Sequence, residues 1–191
     1  GTSITTGTQN VLLGGLAGDA ITTGLNNIAI GRGALGAEVA GDNTVAIGKN
    51  ALVAQVNSTN ADANNTAVGH LVGTSVTTGV SNTLIGATAG DALTDADFNV
   101  AVGVSSLGAD TLGSRSIAIG YNALLAQNFT TATDSNNIAI GWEASHNNTT
   151  GRYNISFGNK ALQVSTTANY NIAIGHAALG AEVAGNASTA V

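Results

Sequence analysis

Cysteine, methionine and proline are all absent from the chain, and each absence removes an explanation. Without cysteine there is no disulfide framework, zinc-thiolate site or thiol nucleophile, and the redox compartment is left open. Charged residues are only 8% of the sequence and aromatics only 4%. Five Lys and Arg against eleven Asp and Glu give a formal charge of −6. No basic patch for phosphates can be assembled from so few cations, so no nucleic-acid partner is expected. No apolar run is long enough to cross a bilayer and no secretion signal is visible, so no membrane insertion is expected in this segment.

What the sequence has in abundance is glycine, small β-branched residues and repetition. A pentapeptide, Asn-(Ile/Val)-Ala-(Ile/Val)-Gly, ends at Gly14, Gly31, Gly48, Gly69, Gly86, Gly103, Gly120, Gly141, Gly158 and Gly175. The steps are 17 residues, lengthened to 21 at two places that lie 72 residues apart. Leu35-Gly36-Ala37-Glu38 returns as Leu107-Gly108-Ala109-Asp110, and Ala51-Leu52-Val53-Ala54-Gln55 returns as Ala123-Leu124-Leu125-Ala126-Gln127. A four-coil block has been duplicated. The octapeptide from Ala34 to Gly41 recurs once more, unchanged, from Ala178 to Gly185.

Each column of the repeat has a physical reading. Four residues before the glycine stand Asn10, Asn27, Asn65, Asn82, Asn99, Asn137, Asn154 and Asn171, with Thr44 and Ser116 as exceptions. Stacked at the strand spacing, such asparagines are expected to bond to one another and to turn backbone, a structural ladder. The period predicts an all-β fold: a parallel β-solenoid of about ten coils of 17 residues, each with two short strands and two turns. Residues 1–191 read as a single repetitive segment, expected to belong to a longer fibre chain. Ile28-Ala29-Ile30 is apolar at successive positions, so both its faces should be buried. A narrow coil can cover only one of them, and a symmetric oligomer would cover the other. The second strand, for example Ile21-Thr22-Thr23, is expected to alternate and face water.

The run Asn27-Ile28-Ala29-Ile30-Gly31-Arg32-Gly33-Ala34-Leu35 resembles the head repeat of YadA-like trimeric autotransporter adhesins and the related repeats of phage tail fibres. The resemblance covers essentially all ten coils. It implies a left-handed β-roll, a homotrimer packed around an axis, and an extracellular place on a virion or a bacterial surface. It also implies attachment to a host cell-surface glycan or protein receptor. Adhesin heads use shorter repeats than 17 residues, which favours a tail-fibre shaft over a bacterial adhesin head.

The column just after the motif glycine varies most, with Arg32, Lys49, His70, Tyr121, Trp142 and His176. Arg32, Lys49, Tyr121, Trp142 and His176 are therefore the candidate surface contacts, and Tyr121 and Trp142 fall in consecutive coils as an aromatic patch. Phe98, Tyr153 and Tyr170 share another column, where the two tyrosines should stack as packing. The insertions near residues 56–62 and 128–134 should bulge as matching loops.

Other motifs carry less. Gly31-Arg32-Gly33-Ala34-Leu35-Gly36 has dinucleotide spacing, but no helix pattern follows it. His70, His146 and His176 lie in different coils, and Asp91, Asp95 and Asp97 match no calcium loop. The sequons at Asn57 and Asn128 arise readily in an Asn/Thr-rich chain. Threonine runs such as Thr22-Thr23 and Thr77-Thr78 raise an ice-binding alternative, but Val39-Ala40 and Leu112 interrupt the array. No cofactor and no metal are expected, and no acid, base and nucleophile converge, so the chain does not read as an enzyme.

Overall fold

A computed structural model describes residues 1–181 and 185–191, and residues 182–184 of the repeated octapeptide lie outside that description. The described residues form a parallel β-solenoid with no helix. Its strands are β1 (Val11–Leu13), β2 (Ile28–Ile30), β3 (Val45–Ile47), β4 (Thr66–Val68), β5 (Thr83–Ile85) and β6 (Val100–Val102). There follow β7 (Gly113–Ser114), β8 (Ile117–Ile119), β9 (Thr133–Asp134), β10 (Ile138–Ile140), β11 (Ile155–Phe157), β12 (Ile172–Ile174) and β13 (Thr189–Ala190). Eleven of them stack into one parallel sheet in the order β1-β2-β3-β4-β5-β6-β8-β10-β11-β12-β13. Register is exact to the residue, with Ala29 over Ala46 over Ala67, so every column of the sequence is a column in space. At the usual strand spacing the stack is on the order of 50 Å long.

Most coils carry one regular strand, where the sequence pattern predicts two. Across the coil from the sheet the chain runs through bends, held by backbone bonds that converge on one carbonyl, such as Thr22 N (2.9 Å) and Thr23 N (3.3 Å) on Val39 O. Threonine hydroxyls double these bonds: Thr22 Oγ1 donates to Val39 O and Thr77 Oγ1 to Thr94 O, both at 3.2 Å. Threonine competes here for backbone acceptors, which draws the wall away from regular ladder geometry. Among the described residues only β7 and β9 form a short second sheet on that side.

The strands divide their residues between the inside and the outside of the coil. Ala29, Ala46, Ala67, Ala101, Ala118, Ala139 and Ala173 point into the coil and are fully buried. The flanking Ile and Val residues point outward and stay half-buried or exposed, as the pleat demands. Inside, small and large residues trade places. Four coils set Ala in the strand against a buried Leu in the turn, such as Ala29 with Leu35. Where the turn residue is Gly18 or Gly90, the strand carries Leu12 or Leu84, whose methyls lie where a Cβ would stand. The long apolar core runs from Ala17 to Ala144, and a second, smaller one holds Ala161, Leu162 and Ala173. Between them Ser145 and Ser156 meet hydroxyl to hydroxyl at 2.9 Å.

The motif glycines have a double necessity. Gly31 has φ of 123°, and a Cβ there would lie 2.5 Å from the carbonyl oxygen of Gly48 in the next coil. The rest of the turn is left-handed mostly without glycine: Leu35 (φ 52°), Leu52 (φ 49°) and Leu124 (φ 52°) are all buried in that conformation. Such residues are rare in isolation. Here the stacking of coils and the burial of the leucine side chains hold them in place.

Candidate functional site

The asparagine column is a scaffold, and every one of its eight members makes the same two bonds. The amide of Asn27 donates to Gly41 O (2.8 Å) while its Oδ1 accepts the backbone N–H of Thr44 (2.9 Å). Asn82 likewise donates to Ala96 O (2.8 Å) and accepts from Asn99 N (2.9 Å). Asn10, Asn65, Asn99, Asn137, Asn154 and Asn171 repeat the pattern. The expected Asn-to-Asn side-chain bonds do not form. Each side chain instead bonds two backbone groups of the next coil, which satisfies buried polar groups that no strand can reach.

Thr44 and Ser116 interrupt that column for a reason the sequence hides. Glu38 and Asp110 are fully buried inside the coil. Gln55 Nε2 donates to Glu38 Oε2 (2.9 Å) and to Thr44 Oγ1 (3.1 Å), while its Oε1 accepts from Asn65 (2.9 Å). Gln127 makes the same three bonds with Asp110 (2.6 Å), Ser116 (3.0 Å) and Asn137 (2.8 Å). The carboxylates also reach the insertions: Glu38 Oε1 accepts from Asn57 N, and Asp110 Oδ1 from Phe129 N, each at 3.0 Å. The insertions are thus anchored from within. Burial holds Asp110 above the ordinary carboxylate range, against the lowering pull of Gln127, Phe129 and Gly113.

On the outside, Tyr121 and Trp142 meet as expected, with ring centroids 6.3 Å apart and planes within 16°. Both are more than 40% exposed, so the patch faces solvent. Lys160 Nζ lies 4.9 Å over the Trp142 ring and 3.8 Å from the Glu143 carboxylate. Arg32 and Lys49 are exposed in neighbouring coils, far along the rod from this pair, and exposed His176 stands apart from both. The five candidates therefore make separate features, and only the aromatic pair is a cluster. Tyr153 and Tyr170 stack at 5.0 Å with planes 1° apart. Arg152 covers the Tyr153 ring, and Arg115 covers Phe98, each at 5.0 Å.

The weaker motifs resolve in the same way. The glycine motif at Gly31 leads into a turn, and no group of three or more His, Asp or Glu among the described residues is placed to hold a metal ion. His146 bonds to its neighbour Asn147 (2.8 Å). The Asn57 side-chain amide donates to Glu38 (3.0 Å), so that sequon is committed internally. Hydroxyls of Thr5, Thr22, Thr77, Thr94 and Thr149 donate to carbonyls of the next coil, which leaves an ice-binding array with few free donors.

Sequence reasoning missed one concave feature. A groove of about 610 Å³ opens beneath the second insertion, lined by Asp95, Asp97, Ser114, Thr133, Asp134 and Arg152, with Ala132 at its lip. These residues come from four coils, so no contiguous motif announces them. Comparison with family models, curated proteins and solved structures finds nothing that matches this chain.

Proposed function

We propose that the chain is a structural and adhesive segment of a homotrimeric extracellular fibre, of the phage tail-fibre kind, that carries attachment to a host surface. One observation supports it above the rest: the outward face of the main sheet is apolar from end to end. The two outward columns of β1 to β6, β8 and β10 to β12 hold Val, Leu, Ile and Phe throughout, except for Thr66 and Thr83, and carry no charge. Leu13, Phe157 and Ile174 are 65%, 55% and 40% exposed. With each such side chain leaving on the order of 50 Å² to water, the face amounts to roughly 1,000 Å², more than a monomer usually exposes and enough for a stable interface.

A partner for this face must match a one-coil spacing repeated along the whole rod. Further copies of the same chain do so automatically, in parallel and in register. Several copies on one rod also multiply any weak surface contact, such as the Tyr121–Trp142 pair, by avidity. A bacterial adhesin head would use the same packing. Light scattering across a dilution series tests the assembly. A constant mass near three times the 18.6 kDa chain is expected. A folded monomer at all concentrations overturns the reading.

A further inference from the structure

The two copies of the duplicated block differ around the groove, and these differences share a direction. At the first insertion Thr23 Oγ1 donates to Asn60 Oδ1 at 3.0 Å, which ties the loop down onto the wall. Seventy-two residues on, these positions are Asp95 and Ala132, and that tie cannot form. Asp95 instead accepts from Thr78 Oγ1 and the groove stands open. Leu25, Val80 and Ser81 of the first block are likewise replaced by Asp97, Arg152 and Tyr153. Several buried positions keep their chemistry over the same shift, Leu35 and Leu107, Gln55 and Gln127, Asn65 and Asn137, while others change it, Val76 to Asn148 and Ala63 to Ser135.

The groups in the groove are held in place before any ligand arrives. Asp97 Oδ1 accepts Val80 N (2.8 Å), and the Arg152 guanidinium donates to Asp134 O (3.1 Å) and Tyr153 Oη (3.1 Å). Arg115 pairs with the Asp134 carboxylate at 3.0 Å. The second carboxylate oxygens of Asp95 and Asp97 accept no hydrogen bond among the described residues. Acceptors, the hydroxyls of Ser114 and Thr133, and a guanidinium donor thus converge on a volume suited to a small ligand. Exposed aromatic residues adjoin it: Phe98 follows Asp97, and Tyr153, whose ring lies between Arg152 and Tyr170, holds the Arg152 guanidinium through its Oη.

We infer that this groove binds a neutral saccharide. Such a ligand offers hydroxyls to carboxylates, hydroxyls and guanidinium, and an apolar C–H face to an aromatic ring. An acidic ligand is disfavoured, because Asp95, Asp97 and Asp134 outnumber Arg152 and Arg115. A purely apolar ligand would leave those polar groups desolvated and unpaired.

The inference goes beyond the fibre reading and does not depend on the number of chains. The test uses the whole chain against immobilised neutral probes, namely α-glucan, β-glucan and N-acetylglucosamine oligomers, with a sialylated oligosaccharide as the acidic probe. Binding to at least one neutral probe is expected, at least tenfold stronger than to the acidic one. The double variant Asp95→Thr with Ala132→Asn restores the closing bond of the first block. It should weaken binding at least tenfold while the melting temperature stays within a degree or two. Tyr153→Ser, at an exposed position, should weaken it independently and guards against misfolding of the double variant. Absence of binding to every neutral probe, stronger binding of the acidic one, or undiminished binding by the folded double variant overturns the assignment. A trimer that binds no sugar would sink only the groove, and a monomer that binds sugar would sink only the fibre.

Discussion

At the first insertion, Glu38 receives the backbone N–H groups of Val39, Ala40, Gly41 and Asn57 on one oxygen and the amides of Gln55 and Asn57 on the other. At the second, Asp110 is one methylene shorter and receives Gly113 N, Phe129 N and Gln127 Nε2. The loops answer in kind. Asn57 fastens the first by its side-chain amide, whereas Phe129 fastens the second by burying its ring to 6% exposure. One anchor is polar and many-bonded, and the other is part polar and part apolar. The same backbone path tolerates both, so the insertion is specified by the buried acceptor and not by the loop's composition.

That comparison can be broken most directly at the carboxylates. Glu38→Ala strands several buried donors and should cost about 4 kcal/mol, with Asp110→Ala nearer 3 kcal/mol. Native-state hydrogen exchange should place each loss in the coils around its own insertion, since stacked repeats unfold locally. A larger loss at Asp110 would show that donor number does not decide the matter. Next comes the loop itself: Phe129→Ala should cost about 3 kcal/mol as a cavity, against about 1 kcal/mol for Asn57→Ala. Equal losses would mean that the ring is not an anchor.

Acid sharpens the contrast further. Asp110 lies above its ordinary value of 3.8 because it is buried, so the folded state takes up its proton more readily than the unfolded chain. Its contribution to stability is complete below 3.8 and is lost as pH rises through the raised folded value. Melting followed from neutrality downward should therefore show a stabilising component that Asp110→Asn abolishes. A component that survives the substitution would assign the effect to another group. The smallest effect is expected outside: Arg115→Asn, which installs the first block's Asn43, should change stability by less than about 0.5 kcal/mol. A larger loss would give the exposed Arg115–Asp134 pair a structural role.

Much of this was legible in the sequence. The period, the asparagine and glycine columns and the stacking of Tyr153 on Tyr170 follow from spacing alone, because identical coils convert sequence position into spatial column. The interior column that holds Ile21, Glu38, Gln55, Val76, Leu93, Asp110 and Gln127 was not legible. It mixes charged, amide and aliphatic residues, so no hydrophobic pattern marks it as buried, and only the return of Glu38–Gln55 as Asp110–Gln127 hinted at pairing. The second strand was over-read because threonine favours strands in general, while here its hydroxyl takes the acceptor a ladder would use. The groove escaped because residues as far apart as Asp95 and Arg152 build it.

The serine pair at Ser145 and Ser156 has a mechanical meaning. A rod pulled from its ends yields where side chains hold adjacent coils least, and this is where the aliphatic core is divided. Each coil peeled away would trade about 5 Å of rod for nearly 60 Å of extended chain. Under tension the last coils would behave as a spool of slack, paying out length at that seam while the longer aliphatic column stays wound.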